Sequence, residues 1–189
     1  VLDLGGGDGT VGAALMSLGH EVVGVDLDEA PGVRDRLAGF VKADLDQGLP
    51  STVGDGFDAV VAADVFEHLR QPEELLVRLH EVVDPEGVIV TSIPNIAHWY
   101  PRVRVLLGRF DYDRRGILDR THLRFFTRRS FERMARSTGW EIERLEWTGL
   151  PLGIVERGDH SYRAVSGSPV ARMHAGGERA LARLWPPRF

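Results

Sequence analysis

The chain contains no cysteine. Disulfides, thiolate metal sites and iron–sulfur clusters are therefore excluded, as is any mechanism that needs a cysteine nucleophile. No apolar run approaches the ~18 residues that cross a bilayer, and no charged-then-apolar signal segment opens the chain. These absences lead to the expectation of a cytoplasmic protein without a transmembrane segment. Lysine is almost missing: Lys42 is the only one, and every other basic residue is arginine. Basic charge is also scarce in one half. Residues 1–97 carry 18 acidic and 5 basic side chains, whereas residues 98–189 carry 10 and 18. The modest net charge of −5 thus conceals an acidic half and a basic half.

The 189 residues, 43% of them hydrophobic, suit one domain with a single sizeable core. Short apolar, often β-branched runs alternate with helical patterns, as in a parallel α/β sheet. Strands are predicted at Val1–Leu4, Glu21–Val25, Gly39–Lys42, Phe57–Ala62 and Gly87–Ser92, the last entered by a tight turn at Asp84-Pro-Glu-Gly87. Helices are predicted at Thr10–Leu18, Pro31–Ala38 and Pro72–Val83. After Pro94 the alternation stops, and an Arg- and aromatic-rich stretch at about 95–127 reads as short helices and loops. Thr127 reads as the N-cap of a helix running to Ser137 and closed by Gly139. Trp140–Trp147 alternates apolar and charged residues like a final strand. Residues 151–175 read as loop, and Glu178–Trp185 as a helix with Leu181, Leu184 and Trp185 on one face. The division is a core over 1–150 and a loop plus C-terminal helix over 151–189. The chain opens on a buried strand and stops just past a helical pattern, as a core cut from a longer protein would.

The opening LDLGGGDGTVG fits two nucleotide signatures. Gly7-Asp-Gly9-Thr-Val-Gly12 is the GxGxxG of dinucleotide folds, and Gly5-x-Gly7-x-Gly9 is the GxGxG of S-adenosylmethionine (SAM) enzymes. Both use glycines to let backbone approach a ligand between a first strand and a first helix. A dinucleotide puts its pyrophosphate on the helix N-terminus, where acids are unwelcome. SAM has no phosphate, and its ammonium and sulfonium tolerate Asp3 and Asp8. Asp26, about 20 residues on, serves a ribose in either case. Asp44 favours SAM: its carboxylate can accept from an adenine amino group while the Leu45 N–H serves a ring nitrogen. A Tyr-x-x-x-Lys pair, which would favour an NAD(P)-binding oxidoreductase, is absent.

The ordered pieces LDLGGGDG, VVGVDLD, VKADLDQGLP, FDAVVAADVFEHL and LLVRLHEVVDPEGVIVTSIPN resemble the class I SAM-dependent methyltransferases over roughly residues 1–147. FEHLRQPEELL resembles the branch that includes ubiquinone-biosynthesis O-methyltransferases. SIPNIAHWYPRVRVLLGRFDYDRRGILDRTHLRFFTRRSFERM resembles bacterial methyltransferases found beside, or fused to, glycosyltransferases. The resemblance implies a Rossmann-like, doubly wound α/β sheet, mostly parallel with an antiparallel C-terminal strand. It implies that Asp3 and Gly5, Gly6, Gly7 and Gly9 hold the methionine end of SAM, and that Asp26 and Leu27 flank the ribose. Asp44 and Leu45 would then face adenine, with Ala63, Asp64 and Val65 at the amino-acid end.

Transfer to oxygen by in-line displacement gains from a base, and histidine suits neutral pH. His68, after the fourth strand, and His122, in Asp119-Arg-Thr-His122, are the candidate bases, with Asp119 a possible orienter of His122. His68 reads equally as a packing residue near SAM, and His122 as one that orders its loop. Asn95, His98, Tyr100 and Arg124 are candidate acceptor contacts, and His80 reads as structural. Trp99, Tyr100, Phe110 and Tyr112 are candidates to stack on an acceptor, whereas Phe125 and Phe126 read as core. No clustered Asp/Asp/Asn metal set is visible, and Asn95 with Asp64 is the one weak cation pair, so no metal is expected. Residues 102–136 hold 11 arginines against 4 acids. They either offset the acidic half or serve an anionic acceptor. The acidic surplus and the lack of a nucleic-acid motif argue against nucleic acid. The reading is methyl transfer to a small-molecule or saccharide acceptor, with possible glycosyltransferase association. The alternatives are a non-catalytic SAM-binding scaffold and, behind it, the NAD(P) oxidoreductase.

Overall fold

The computed structural model describes residues 1–146. β1 (Leu2–Leu4) is central because its residues are buried on both faces. Leu2, Leu4, Val25, Val60 and Ala62 are fully buried across three adjacent strands. Each large apolar side chain so buried contributes roughly 1.5–3 kcal/mol. β2 (Val23–Asp26), β3 (Gly39–Lys42), β4 (Phe57–Ala63) and β5 (Val83–Ser92) complete a five-stranded sheet of order β3-β2-β1-β4-β5. Every pairing is parallel. The α/β expectation therefore holds, with strand boundaries shifted by at most four residues. The predicted turn at Asp84–Gly87 lies inside β5: Phe57 pairs with Val83 and Ala59 with Val88, so those residues form an irregularity in the strand.

α1 (Thr10–Ser17), α2 (Val33–Arg36) and α3 (Pro72–Val82) lie between the strands. α2 is half its predicted length. Gly32 adopts φ 75° just before it, and Leu37 leaves in extended conformation. Leu37 then dips into the space that side chains on Gly12 and Gly24 would occupy. α3 buries Leu75, Leu76 and Leu79 and begins with Pro72 at its first turn, where proline costs no hydrogen bond.

Beyond the sheet, α4 (Trp99–Leu106) and α5 (Arg128–Ser137) follow. Thr127 caps α5 in a reciprocal box with Ser130, and Gly139 at φ 89° closes it. The expected strand at 140–147 does not form over 140–146. Trp140 is spent otherwise: its Nε1 donates to the Leu76 carbonyl at 2.8 Å, and its ring stacks on His80 at 4.2 Å. His80 also meets the Thr138 carbonyl at 2.8 Å, so it joins α3 to the end of α5. The loop and helix expected over 151–189 lie outside the described residues, as does Trp147. Among the described residues, no helix is long and apolar enough to cross a membrane.

Candidate active site

The parallel strands end at one edge, and the strand order reverses between β1 and β4. In open α/β sheets the crevice at such a reversal takes the ligand. Gly5–Gly9 follows β1 and Ala63–Val65 follows β4, so two of the expected cofactor segments meet there. They touch: a Cβ on Gly5, whose φ is +63°, would lie 2.7 Å from Val65 Cγ2. Only glycine fits both that backbone and that approach.

Three of the strand ends at this edge carry an aspartate, and a fourth aspartate lies within β1. Asp26 closes β2; its Oδ2 accepts from the Gly7 N–H at 2.8 Å and its Oδ1 from the Asp28 N–H at 3.0 Å. Asp44 follows β3 and caps the short turn Leu45–Gln47 by accepting from the Asp46 N–H. Leu45 packs on the core, and Leu27 is 59% exposed beside Asp26. Asp64 follows β4 at φ 53° and accepts from Ser92 Oγ at 2.7 Å. Ser92, at the end of β5, is a site residue that sequence reasoning missed, because a lone serine carries no signal.

Asp3 sits deepest, 2% exposed. Its Oδ2 has no hydrogen-bond partner, and a Cβ on Gly6 would come within 2.8 Å of it. Burial pushes the Asp3 carboxyl up to about 6, and the nearby Asp26 adds to the rise. A buried oxygen lacking a donor, roofed by glycine, is a seat for a cationic or N–H-bearing group. The methionine ammonium of SAM is such a group. The N-terminus of α1 decides against a pyrophosphate. Asp8 Oδ1 already accepts from the Thr10 N–H at 3.0 Å and from Thr10 Oγ1 at 2.7 Å. A carboxylate thus occupies the anion seat a dinucleotide would need, and Gly12 serves the packing of Leu37.

The second wall of the site comes from the insert. The turn Phe66–His68 follows Asp64, and residues 121–124 return onto it. The Leu123 and Arg124 N–H groups donate to the Glu67 carbonyl at 2.8 and 3.0 Å. His68 and His122 are brought together, ring centroids 4.9 Å apart and edge to face. His68 Nδ1 faces the Thr121 carbonyl at 3.2 Å, and His122 Nδ1 faces the Ile117 carbonyl at 3.1 Å. A carbonyl accepts only, so each Nδ1 carries the proton and each Nε2 keeps a lone pair. Burial holds His122 below the usual histidine range, with His68 adding to the effect. Asp119 does not orient His122 through its carboxylate, which instead accepts from the Thr121 N–H and Oγ1 at 2.8 Å.

Glu67 was not foreseen. It is 1% exposed, and neither carboxylate oxygen has a partner. Burial pushes its carboxyl up to about 7, and Asp64 adds to the rise. Its Oε1 lies 4.0 Å from His122 Nε2. The available signal was an acid directly before His68 in a turn, which sequence alone does not mark as buried.

The candidate acceptor contacts are engaged locally. Asn95 Oδ1 accepts from the Ala97 N–H at 2.9 Å, and Asp64 Oδ1 is held by Ser92, so each member of the proposed cation pair is otherwise occupied. His98 caps α4 by accepting from the Tyr100 N–H at 3.3 Å. Tyr100 donates its hydroxyl to Asp113 at 2.8 Å, and Arg104 bridges both. Arg124 Nε donates to the Arg70 carbonyl at 3.0 Å, pinning the insert to the turn. Phe126 is core, but Phe125 is half-buried in an aromatic group with Phe110, Tyr112 and His122. Phe110 also borders an apolar depression of about 370 Å³ with Ile96, Pro101, Val105 and Leu106.

Residues 1–145 match a family described as a methyltransferase domain. The chain is similar to the ubiquinone biosynthesis O-methyltransferase of Azorhizobium caulinodans, 35% identical over 103 residues that cover 50% of this chain and 40% of that protein. It is similar also to the tRNA 5-carboxymethoxyuridine methyltransferase of Escherichia coli K12, 30% identical over 128 residues, 62% of this chain and 48% of that one. The match spans less than half the length of either relative. Among solved structures, a SAM-dependent methyltransferase from Archaeoglobus fulgidus shares the fold with a TM-score of 0.63 at 21% identity, covering 96% of this chain and 78% of that one. A Burkholderia thailandensis 1,6-didemethyltoxoflavin-N1-methyltransferase, solved with 1,6-didemethyltoxoflavin and S-adenosylhomocysteine, does so with 0.53 at 22%, covering 72% and 58%. With the glycine-floored acidic edge, the closed pyrophosphate seat and the family match over residues 1–145, the chain belongs to the methyltransferase-domain family and carries the class I fold of SAM-dependent methyltransferases.

Proposed function

We propose that the chain is the catalytic core of a methyltransferase that methylates an oxygen of a small-molecule or glycan-type acceptor. One observation carries the reading: segment 63–68 serves both sides of the site. Asp64 and Val65 border the donor crevice, and His68 lies against His122 on the insert. Asp3 and Gly5–Gly9 would hold the methionine end of the donor, Asp26 and Leu27 the ribose, Asp44 and Leu45 the adenine. Bound SAM supplies an activated methyl group on a good, neutral leaving group. The chain's own work is then alignment, exclusion of water and removal of the acceptor proton. Alignment alone can be worth about 7–11 kcal/mol, and a histidine base adds roughly 10²–10⁴-fold. The lone pair at Nε2 of His68 or His122 suits that task.

An anionic acceptor is favoured by the insert's arginines. Arg109, Arg114, Arg115 and Arg120 are exposed. Among the described residues they form no ion pair, either with the acidic half or within the insert. The curated relatives include a ubiquinone-pathway enzyme and a tRNA enzyme, so the expectation that excludes nucleic acid is not carried forward. Association with a glycosyltransferase is part of this proposal on the resemblance of the insert. The test is transfer of label from methyl-labelled SAM to nucleotide sugars, phenols and RNA. Label on an acceptor oxygen supports the reading; tight SAM binding without transfer to any of them replaces it with the scaffold alternative.

A further inference from the structure

Three groups converge behind the turn that follows β4. Glu67 offers a carboxylate oxygen, and His68 and His122 each offer a ring nitrogen, with the three potential ligand atoms within 4.8 Å of one another. The cluster has acceptors and no donor. Both Nδ1–H groups are spent on backbone carbonyls, Thr121 and Ile117, and both Glu67 oxygens are buried without a partner. A proton on Glu67 cannot bond directly to His122, because 4.0 Å exceeds hydrogen-bond reach. A buried carboxylate facing two imidazole lone pairs is stable when a cation sits among them. Metal-ligating histidines characteristically donate their other ring N–H to a carbonyl or carboxylate, which fixes tautomer and orientation. Both imidazoles here do so.

We propose that Glu67, His68 and His122 form a binding site for one divalent first-row transition cation. A two-histidine, one-carboxylate set suits zinc, cobalt, manganese or ferrous iron better than magnesium or calcium, which prefer oxygen ligands. Ligand bonds of about 2.0–2.2 Å require the three atoms to close in by about an ångström. His68 can supply that movement, since it is exposed on a three-residue turn while Glu67 and His122 are buried. Three protein ligands leave coordination positions open toward solvent at His68. An acceptor hydroxyl bound there would be made more acidic by the cation and would lose its proton to solvent water at the exposed His68 side as the methyl–oxygen bond forms and the methyl–sulfur bond breaks. The inference rests on the proposed function only for that last role, and there it replaces the histidine base.

The test is titration of the chelator-stripped full chain with Co²⁺, read by its visible ligand-field bands and by the shift in unfolding midpoint. The expected result is one Co²⁺ per chain, displaced by Zn²⁺, with the midpoint raised in proportion to occupancy. Glu67→Gln and His122→Gln should each weaken binding at least about tenfold. Should either fail to fold, His68→Ala provides the same test at an exposed position. No stoichiometric binding, or binding that these variants leave unchanged, overturns the site. S-adenosylhomocysteine binding is measured on the same samples. If it persists without Co²⁺ binding, the metal site falls and the proposed function stands; if it is lost while Co²⁺ binds, the reverse holds.

Discussion

The strand-end edge proposed for the donor and the insert proposed for the acceptor are built by different physics. The donor edge, residues 1–94, is a parallel sheet whose strands end together, so backbone pairing alone brings Asp26, Asp44 and Asp64 to that edge and sets Asp3 beneath it, level with Gly24 and Val61. The insert, residues 95–127, has one eight-residue helix and is otherwise shaped by side chains bonding to backbone. Thr121 is held by Asp119, Arg124 by the Arg70 carbonyl, and Tyr100 by Asp113 and Arg104. The first region places charge by topology, the second by individual contacts. The donor side is therefore robust to surface change and the acceptor side is open to it, as expected of a fold that hosts many substrates through its loops.

The sharpest way to separate the two regions is His122→Ala. It should lower turnover by roughly 10²–10⁴-fold while leaving S-adenosylhomocysteine affinity within about twofold in calorimetry. Asp26→Ala should do the opposite. It removes a charged acceptor and releases the Gly7 N–H, a loss of about 1.5–3 kcal/mol per charged hydrogen bond, so donor affinity should fall roughly 10–100-fold by the same measurement.

The titration of Asp3 probes the donor edge alone. Its folded value of about 6 lies above the ordinary 3.8 because burial disfavours the carboxylate. In the donor-free protein this stabilises the fold below about pH 4 and is lost as pH rises through about 6. A bound ammonium needs the carboxylate, so donor affinity should rise between pH 5 and 7, by at most about tenfold per pH unit. Asp3→Asn should flatten both pH profiles. The smallest effect is expected for Tyr100→Phe, which loosens the Tyr100–Arg104–Asp113 contact by about 1 kcal/mol. It should raise the acceptor KM a few-fold without changing donor affinity.

Legibility in the sequence followed the same division. The strands could be read from their short apolar, often β-branched runs, and Gly39–Lys42 matches residue for residue. Asp26, Asp44 and Asp64 could be read because they sit at strand ends. The short α2 could not, since Leu37 answers to Gly12 and Gly24, which are distant in sequence. The strand expected at 140–147 was defeated by Trp140, whose anchorage to Leu76 and His80 comes from α3. Glu67 was invisible because its burial arises only when residues 121–124 fold back over its turn. His98 and Asn95 read as acceptor contacts, yet each holds its own loop by capping a nearby N–H.

The central claim is that the acidic strand-end row is a seat for a cationic sulfonium donor and closed to a pyrophosphate. Calorimetric titration with SAM, S-adenosylhomocysteine and NAD⁺ tests it most directly. Binding of both adenosyl-sulfur ligands, with no heat from NAD⁺, is the predicted result. Binding of NAD⁺ alone would contradict the reading of Asp3, Asp8 and Asp44, and with it the site built on them.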